Sequence, residues 1–299
     1  MRSKWVIAGC RGQLGHALNG ELSAAGCEVS AAGDLPELDI ADREGLARFF
    51  QGLVAPLVVV NAAAFTHVDR CEREPAAAWR ANVDGPERLA ELCQARGFRL
   101  VHVSTDYVFP GDASRPYRED DPPAPRSEYG RSKLEGERRV LAHCPSALVV
   151  RTSWVFGRGR NFIAAILAQA QERRRQGDRT PLRVVDDQRG RPTYAVDLAA
   201  SIRALVEADA RGLYHLANRG EATWWEVAKA SLDEAGFGDL QVDRIQTRDL
   251  SLPAPRPSYS VLDCSKAEAL GVRPRNWRDA LRAFLRSSDS PLAPEGKTA

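Results

Sequence analysis

A tyrosine and a lysine four residues apart, Tyr129 and Lys133, form the motif Y-x-x-x-K. On a helix this spacing places both side chains on one face. An ammonium beside a phenol favours the phenolate and lowers its pKa from about 10. Such a tyrosine can give a proton to a carbonyl oxygen while hydride reaches the carbon. A surface Tyr–Lys pair on a helix is the alternative interpretation.

A second candidate is a pair of hydroxyls, Ser104 and Thr105, which follow the apolar run 100–103. We expect this run to be a strand whose carboxyl end carries both hydroxyls. Ligands of open α/β sheets bind at that edge. A hydroxyl there could hold a substrate carbonyl and the phenol together; the alternative is a turn or helix-capping role.

The third candidate is the glycine loop G-x-x-G-x-x-G of Gly9, Gly12 and Gly15. The first glycine permits a tight turn, the second lets the backbone approach a pyrophosphate, and the third packs helix against strand. The helix that follows offers free amides and a partial positive charge to phosphates. The loop comes directly after the first predicted strand, which favours dinucleotide binding over a plain turn.

The end of the second predicted strand bears on the choice of cofactor. Small residues occupy the position where an acid usually binds the adenosine ribose, and Asp34 comes slightly late. We therefore expect no carboxylate to oppose a 2′-phosphate, and Arg11 could pair with one, which favours NADP over NAD. Asp34 would reverse this preference if it reached the ribose. Asp39 and Ile40 could flank the adenine, unless Asp39 only starts a helix.

Apolar runs alternate with amphipathic segments along the chain. Strands without polar alternation, separated by helices, are typical of a parallel sheet covered on both faces. The predicted strands are 5–8, 27–31, 57–61, 100–104, 147–151, 182–185 and 213–217, and the predicted helices are 14–25, 43–51, 76–95, 129–141, 162–174, 196–208, 226–235 and 278–286. We expect an α/β fold, a Rossmann-type doubly wound parallel sheet with a smaller mixed α/β substrate-binding domain. The dinucleotide domain would comprise 1–157 and about 196–217, the substrate domain about 158–195 and 218–286, and 287–299 would be a disordered tail.

Composition excludes several classes of protein. The hydrophobic fraction of 43% and the charged fraction of 27% are ordinary for a globular protein. A net charge of +2 gives no support for nucleic-acid binding. The longest apolar stretch, 53–65, is interrupted by Pro56 and Asn61 and is too short to span a bilayer. The six cysteines form no C-x-x-C pair, which indicates no metal or disulfide framework and favours the cytoplasm.

Together the motifs resemble those of the dTDP-4-dehydrorhamnose reductases, a family of the extended short-chain dehydrogenase/reductase superfamily. The similarity runs from about residue 6 to residue 263. The matching segments are N-A-A-A-F-T-H-V-D (61–69), S-T-D-Y-V-F (104–109), Y-G-R-S-K-L-E-G-E (129–137), R-T-S-W-V-F-G (151–157) with N-F (161–162), D-Q-R-G-R-P-T (187–193) and R-P-S-Y-S-V-L-D (256–263).

The resemblance implies reduction of the 4-keto group of dTDP-4-dehydro-L-rhamnose, the last step in making dTDP-L-rhamnose for surface polysaccharides or glycolipids. It implies NADPH as cofactor, with NADH possible. Tyr129 would be the acid, Lys133 would tune it, and Thr105 would lie in the proton path. The implied cofactor residues are Gly9, Arg11, Gly12, Gln13, Leu14, Gly15, Asp39, Ile40, Ala63, Ala64, Phe65, Tyr129 and Lys133. The implied substrate residues are Thr66, Val68, Thr105, Asp106, Tyr107 and Trp154.

Some features depart from the family or are assigned less directly. Dimers bridged by Mg²⁺ through an acid on the first helix are described for some members, but here no carboxylate precedes Glu21 on that helix. The metal-bridged dimer is therefore in doubt and Mg²⁺ stays an open question; we assign no metal ligands and expect a monomer or a homodimer. Asn82 fits the helix asparagine of the superfamily, or is a polar surface residue. Candidates for the diphosphate, by charge, are Arg189, Arg191 and Arg256.

Two other functions compete with the reductase. Another nucleotide-sugar ketoreductase, an epimerase or a dehydratase would share the fold, although dehydratases carry an acid where Tyr107 follows Asp106. A non-catalytic regulatory subunit, like the related chain of methionine adenosyltransferase, would share it too, because fold does not fix function. The intact Tyr129 and Lys133 favour an enzyme.

Overall fold

The computed structural model describes residues 4–293, and in this range short apolar runs form strands joined by helices. The strands are β1 (Lys4–Ala8), β2 (Glu28–Gly33), β3 (Leu57–Asn61), β4 (Arg99–Thr105), β5 (Leu148–Thr152), β6 (Val155–Phe156), β7 (Leu182–Val185), β8 (Arg189–Gly190), β9 (Thr193–Tyr194), β10 (Gly212–His215), β11 (Ala222–Thr223) and β12 (Val242–Ile245). The helices are α1 (Gln13–Ala24), α2 (Arg43–Phe49), α3 (Val68–Arg73), α4 (Pro75–Trp79), α5 (Gly85–Arg96), α6 (Glu128–His143), α7 (Phe162–Gln176), α8 (Ala195–Glu207), α9 (Trp224–Glu234), α10 (Ser265–Glu268) and α11 (Trp277–Arg286). None of the described helices combines the length and the apolarity needed to cross a bilayer.

Six strands form one parallel sheet in the order β10-β5-β4-β3-β1-β2. Every residue of β3 and β5 is buried, because helices cover both faces of the sheet. The order reverses between β1 and β3, which is the point where open α/β sheets bind ligands. The predicted α/β fold with a doubly wound parallel sheet is confirmed.

The two faces of this sheet carry separate hydrophobic clusters. On one face α1 and α8 pack together over the sheet, with Leu18 and Ile202 fully buried. On the other face α2, α5 and α6 contribute Leu46, Leu89 and Val140. The chain returns to the sheet through α8, and β10 pairs with β5.

A third cluster lies in the C-terminal part, between α7, α9 and α11 and the short strands. Local signals set these helices. Asn161 caps α7 by accepting from the Ala164 amide, and Thr223 forms a reciprocal capping box with Glu226 at the start of α9. The predicted strands and helices of this part do not include β12, because its V-D-R-I sequence carries two exposed charged residues.

The predicted division into two domains stays a prediction. The first part of the tail, which the sequence predicts to be disordered, has defined structure. Its first residues form hydrogen-bonded turns, with Ser290 buried and Leu292 packed against the third cluster. An apolar contact therefore fastens this part of the tail, and residues 294–299 lie outside the described residues.

Candidate functional site

A cavity of about 800 Å³ opens at the carboxyl ends of β1 to β5, where the loops after these strands meet. Its lining brings together every predicted cofactor and substrate residue except Gly15. These lining residues are Gly9, Arg11, Gly12, Gln13, Leu14, Asp39, Ile40, Ala63, Ala64, Phe65, Thr66, Val68, Thr105, Asp106, Tyr107, Tyr129, Lys133 and Trp154. The roles given to them remain predictions, but their convergence is an observation.

The glycine loop between β1 and α1 is too tight for side chains. Gly9 has a φ of +83°, and a Cβ there would lie 2.5 Å from the Ala63 nitrogen. A Cβ at Gly15 would lie 2.1 Å from the carbonyl oxygen of Gly9, so Gly15 serves helix packing instead of lining the cavity. Gly12 caps α1 without a side chain. The first amides of α1 are therefore free to bind a pyrophosphate.

Two carboxylates lie at the end of β2, where we expected none to oppose a 2′-phosphate. Asp34 accepts the backbone amide of Arg11 at 3.0 Å. The Arg11 guanidinium donates to Glu37 at 2.7 Å, and this hydrogen bond lowers the pKa of Glu37. Asp34 bonds the loop backbone and Glu37 does not line the cavity, so the expectation about the 2′-phosphate stays a prediction. Arg11 is in place for a phosphate but is already paired with Glu37.

Asp39 and Ile40 form the next part of the lining. Asp39 accepts from the Arg80 guanidinium at 2.6 Å, and although burial opposes it, this contact lowers the pKa of Asp39. Asp39 is not the residue that starts the next helix, since Asp42 caps α2. Arg80 also lines the cavity and brings a cation to this end.

Arg80 begins a π-helical turn, Arg80–Asp84, where the sequence predicted one continuous helix over 76–95. This turn buries Asn82 completely, so the interpretation as a surface residue was wrong. The Asn82 amide accepts from the Phe65 nitrogen at 2.8 Å and donates to Ser132 at 3.0 Å. It therefore ties the loop after β3 to α6, the helix that carries the Tyr–Lys pair.

Thr105, Tyr129 and Lys133 are grouped here as the reaction end of the cavity. Thr105 ends β4, and its hydroxyl donates to Asp106 Oδ1 at 3.0 Å. Tyr129 lies in the first turn of α6, which Ser127 caps. Desolvation raises the pKa of Tyr129, and the hydroxyl of Thr105 acts in the opposite direction. The lowered pKa expected from Lys133 was wrong, because burial dominates and keeps the phenol protonated.

Lys133 is almost fully buried, and its ammonium donates to the carbonyl of Val103 at 2.7 Å. Burial lowers the pKa of Lys133 to about 8, against the opposing charge of Glu137. His102, the neighbour of Val103 on β4, is hydrogen-bonded to Asn61 at 3.1 Å, and burial and the charge of Lys133 lower the pKa of His102. Lys133 is therefore the cation of the reaction end, and the neutral imidazole adds no second charge.

Asp106 is the carboxylate beside the reaction end. It is 2% exposed, its Oδ1 accepts from the Thr105 hydroxyl, and the buried Ser260 hydroxyl lies close enough to stabilise the charged carboxyl. Burial raises the pKa of Asp106 to about 6. Further hydrogen bonds from a ligand offset the free energy that a buried carboxylate costs. Asp106 is therefore suited to accept a hydrogen bond from a hydroxylated substrate.

Trp154 and Trp224 form an aromatic wall on the other side of the cavity. Their rings stack with centroids 3.6 Å apart and planes within 5°. Trp154 lies between β5 and β6, whereas Trp224 opens α9 more than sixty residues later. Both line the cavity. Such a wall suits a flat or apolar ligand face.

Sequence reasoning missed several residues of the lining, and the three diphosphate candidates that it named lie outside the lining. Arg80, Arg158, Arg160 and Trp224 line the cavity, although no motif that we used contains them. The predicted diphosphate candidates Arg189, Arg191 and Arg256 do not line the cavity. The Arg256 guanidinium pairs with Asp69 at 2.8 Å, and that of Arg189 lies 3.6 Å from the Glu221 carboxylate. Long side chains are drawn to local acids, which charge alone does not reveal.

Acid clusters elsewhere have partners of their own. Asp186 accepts from Thr223 and Arg244, and Asp187 accepts from Thr247. The helix-surface group Glu87, Glu91 and His143 is paired with Arg139 and Arg43. These contacts give the carboxylates protein partners. What the sequence predicts about metal binding stays a prediction.

Comparison with known proteins gives the following similarities. The model of the family described as RmlD substrate binding domain matches residues 3–290. A dTDP-4-dehydrorhamnose reductase of Streptomyces griseus is 42% identical over 94% of this chain and 92% of its own. A probable dTDP-4,6-dihydroxy-2-methyloxan-3-one 4-ketoreductase of Streptomyces antibioticus is 42% identical over 93% of each chain. The crystal structure of a dTDP-4-dehydrorhamnose reductase from Bacillus anthracis in complex with NADP has a TM-score of 0.87 and 33% identity, covering 95% of this chain and 99% of that one.

Proposed function

The chain belongs to the family of the RmlD substrate binding domain, and we propose that it reduces the 4-keto group of dTDP-4-dehydro-L-rhamnose to give dTDP-L-rhamnose, with NADPH as the reductant. One observation carries the proposal: a single cavity holds the glycine loop at one end and Thr105, Tyr129 and Lys133 at the other. The chain is an oxidoreductase of the last step of dTDP-rhamnose biosynthesis. We place it in the cytoplasm as a monomer or homodimer.

The residues present fit a dinucleotide. The cradle at Gly9 excludes any side chain, and the free amides of α1 face the cavity for the pyrophosphate. Asp34 follows β2 and accepts from the Arg11 amide of the glycine loop, so both residues would lie near the adenosine ribose. Small residues at Ala63 and Ala64 let the backbone lie close to the cofactor, and Lys133 would bind the nicotinamide ribose. NADPH is favoured because a relative of this family binds NADP and because Arg11 can meet a 2′-phosphate.

Reduction needs a hydride and a proton. When bound, NADPH supplies the hydride for C4 of the sugar. Tyr129 donates its phenol proton to the developing alkoxide at O4, and its raised pKa means that this proton is present at neutral pH. Thr105 orients the substrate oxygen and the phenol, and the Lys133 cation stabilises the phenolate left after transfer.

The substrate would lie between the reaction end and the aromatic wall. Asp106 brings a buried carboxyl group that can accept from a sugar hydroxyl, and Trp154 offers a wall to the 6-deoxy face. Thr66, Val68 and Tyr107 complete the sugar side of the lining. Arg158 or Arg160 would bind the diphosphate, since these exposed arginines lie at the cavity mouth.

A second candidate is a related ketoreductase that takes another dTDP-keto sugar. The Streptomyces antibioticus relative, named for such a substrate, is as similar as the rhamnose enzyme of Streptomyces griseus. The regulatory-subunit hypothesis is weaker, because an intact reaction end lines an open cavity.

The test is oxidation of NADPH, followed by absorbance, with freshly made dTDP-4-dehydro-L-rhamnose and with NADH in parallel. We expect rapid turnover with NADPH and the product dTDP-L-rhamnose by mass spectrometry. NADPH binding without turnover on this sugar, but with turnover on another dTDP-4-keto sugar, would favour the second candidate. Binding without turnover on any sugar would favour the regulatory subunit.

A further inference from the structure

The segment 187–193, D-Q-R-G-R-P-T, has no role in the mechanism above, and none of its residues lines the cavity. Gln188, Gly190 and Thr193 are nevertheless buried. Gln188 contacts the Trp224 indole, Gly190 lies against the Trp154 indole, and Thr193 contacts the Trp154 backbone. The contacts of this segment explain how the wall is held.

Trp154 has a backbone φ of +48°, in the left-handed region that bulky residues rarely adopt. Such a conformation persists only where the surroundings hold it. The Thr193 amide donates to the Trp154 carbonyl at 3.1 Å. A Cβ at Gly190 would lie 2.5 Å from Cε2 of the indole, so only glycine leaves room for this ring edge.

Trp224 covers one face of the Trp154 ring and is fixed in turn. Its indole Nε1 donates to Gln188 Oε1 at 3.1 Å, and the Gln188 amide donates to Thr247 Oγ1 at 2.8 Å. The Thr247 hydroxyl donates to Asp187 at 2.7 Å. Phe162 packs on Trp224 with ring centroids 4.6 Å apart. The plane of Trp224 is thus set by a chain of three hydrogen bonds and by a neighbouring ring.

We propose that Trp224 is a positioning residue for the substrate: it clamps Trp154 so that the remaining face of that indole forms a fixed wall for the sugar. One face of Trp154 lies on Trp224 and one edge lies on Gly190, so the cavity meets the opposite face. The proposal rests on the proposed function. In this proposal the segment 187–193 holds Trp224 and Trp154 in their positions. A wall fixed before binding costs less ordering when the sugar arrives.

Trp224→Ala removes the clamp, and Trp224→Phe keeps an aromatic face without the hydrogen bond to Gln188. Trp225→Phe is the matched control, since this neighbour on α9 donates to the Val242 carbonyl and does not line the cavity. Steady-state kinetics on dTDP-4-dehydro-L-rhamnose and NADPH titration would be measured for all variants. Trp224→Ala should raise the substrate KM about tenfold, change kcat by less than about threefold and leave the NADPH Kd unchanged. Trp224→Phe should recover most of the KM.

A second readout does not depend on the sugar. The protein is labelled with 5-fluorotryptophan, and the ¹⁹F signal of Trp154 is assigned with Trp154→Phe. In the wild type the stacked ring should give one ring-current-shifted line; Trp224→Ala should shift and broaden it, whereas Trp225→Phe should not.

An unchanged Trp154 line, or an unchanged KM, in a folded Trp224→Ala protein overturns the proposal. An equal loss of kcat and of NADPH affinity also overturns it, because that pattern indicates a merely structural role. Failure of the wild type to reduce dTDP-4-dehydro-L-rhamnose would refute the proposed function instead, and the ¹⁹F spectrum would still decide whether Trp224 holds Trp154.

Discussion

The reaction end and the aromatic wall face the same cavity but are built differently. Thr105 ends a strand of the central sheet, and Tyr129 and Lys133 lie on a sixteen-residue helix packed against it. Trp154 lies on a strained link between two strands, and Trp224 arrives from the C-terminal part. The reaction end uses buried polar groups with displaced pKa values, whereas the wall uses ring faces and one indole hydrogen bond.

This difference predicts where each end acts. Polar groups that move a proton stabilise charge in the transition state, so their loss should lower kcat. A wall contacts the sugar before and during the reaction to a similar extent, so its loss should raise KM. The predictions below test that separation, from the largest expected effect to the smallest.

Tyr129→Phe should lower kcat by about 10³-fold or more, because it removes the proton donor while keeping the ring. The NADPH Kd should change little, which titration by fluorescence would show. Turnover within tenfold of the wild type would mean that another group protonates the alkoxide, and the reaction end would then be wrongly placed.

Trp154→Ala should raise the substrate KM about tenfold and lower kcat much less, because the sugar loses its apolar wall. Steady-state kinetics with saturating NADPH would measure both constants. The substrate KM of Trp154→Phe should lie between those of the wild type and of Trp154→Ala. A fall in kcat with constant KM would show that the wall also takes part in the chemistry.

Asp106→Asn should make the folded protein more stable at pH 8, on the order of 2 kcal/mol, while impairing substrate binding. The folded protein raises the pKa of Asp106 from 3.8 to about 6. Proton binding therefore stabilises the fold at low pH, and this contribution is lost as the pH rises through 6. Asparagine resembles the protonated form, so its advantage should shrink as the pH falls below 6.

Thermal unfolding at pH 8 and pH 5 would measure this advantage, with Asp243→Asn as an exposed control that should show no such trend. An advantage independent of pH would show that the Asp106 carboxylate is not the source. No comparable pH-dependent gain is expected from a change at Trp154.

Glu37→Gln should lower the KM for NADPH about two- to fourfold and leave that for NADH unchanged, because it frees Arg11 from an exposed ion pair. Glu28→Gln, on the outer strand and paired with Lys4, is the control. The reaction end and the aromatic wall should be unaffected, so kcat should stay constant. Equal gains for both cofactors would show that Arg11 does not distinguish them.

The sequence predicted that Thr105, Tyr129 and Lys133 share one cavity, because motifs with fixed spacing on long elements determine their neighbours, whereas their chemical roles stay predictions. The central sheet followed for the same reason: its strands are continuous apolar runs. The displaced pKa values did not follow, because burial is a property of the folded cavity and opposed the simple effect of Lys133 on Tyr129.

The clamp of the aromatic wall could not be predicted. Trp224 begins a helix that the sequence pattern started at Glu226 and lies in no motif, whereas its partner Trp154 lies in the motif of residues 151–157. Contacts between distant segments with short strands leave no periodic signal. Asn82 differs, because the resemblance singled it out; what left no signal in the sequence is the π-helical turn that contains it.

The position of β10 has a consequence for how the chain folds during its synthesis. This strand, Gly212–His215, covers the edge of β5, and it is the last of the six to leave the ribosome. Until then β5 presents unpaired amides and carbonyls, which are a template for aggregation. A nascent or truncated chain that stops near residue 157 should therefore depend on a chaperone, although it already contains every residue of the reaction end.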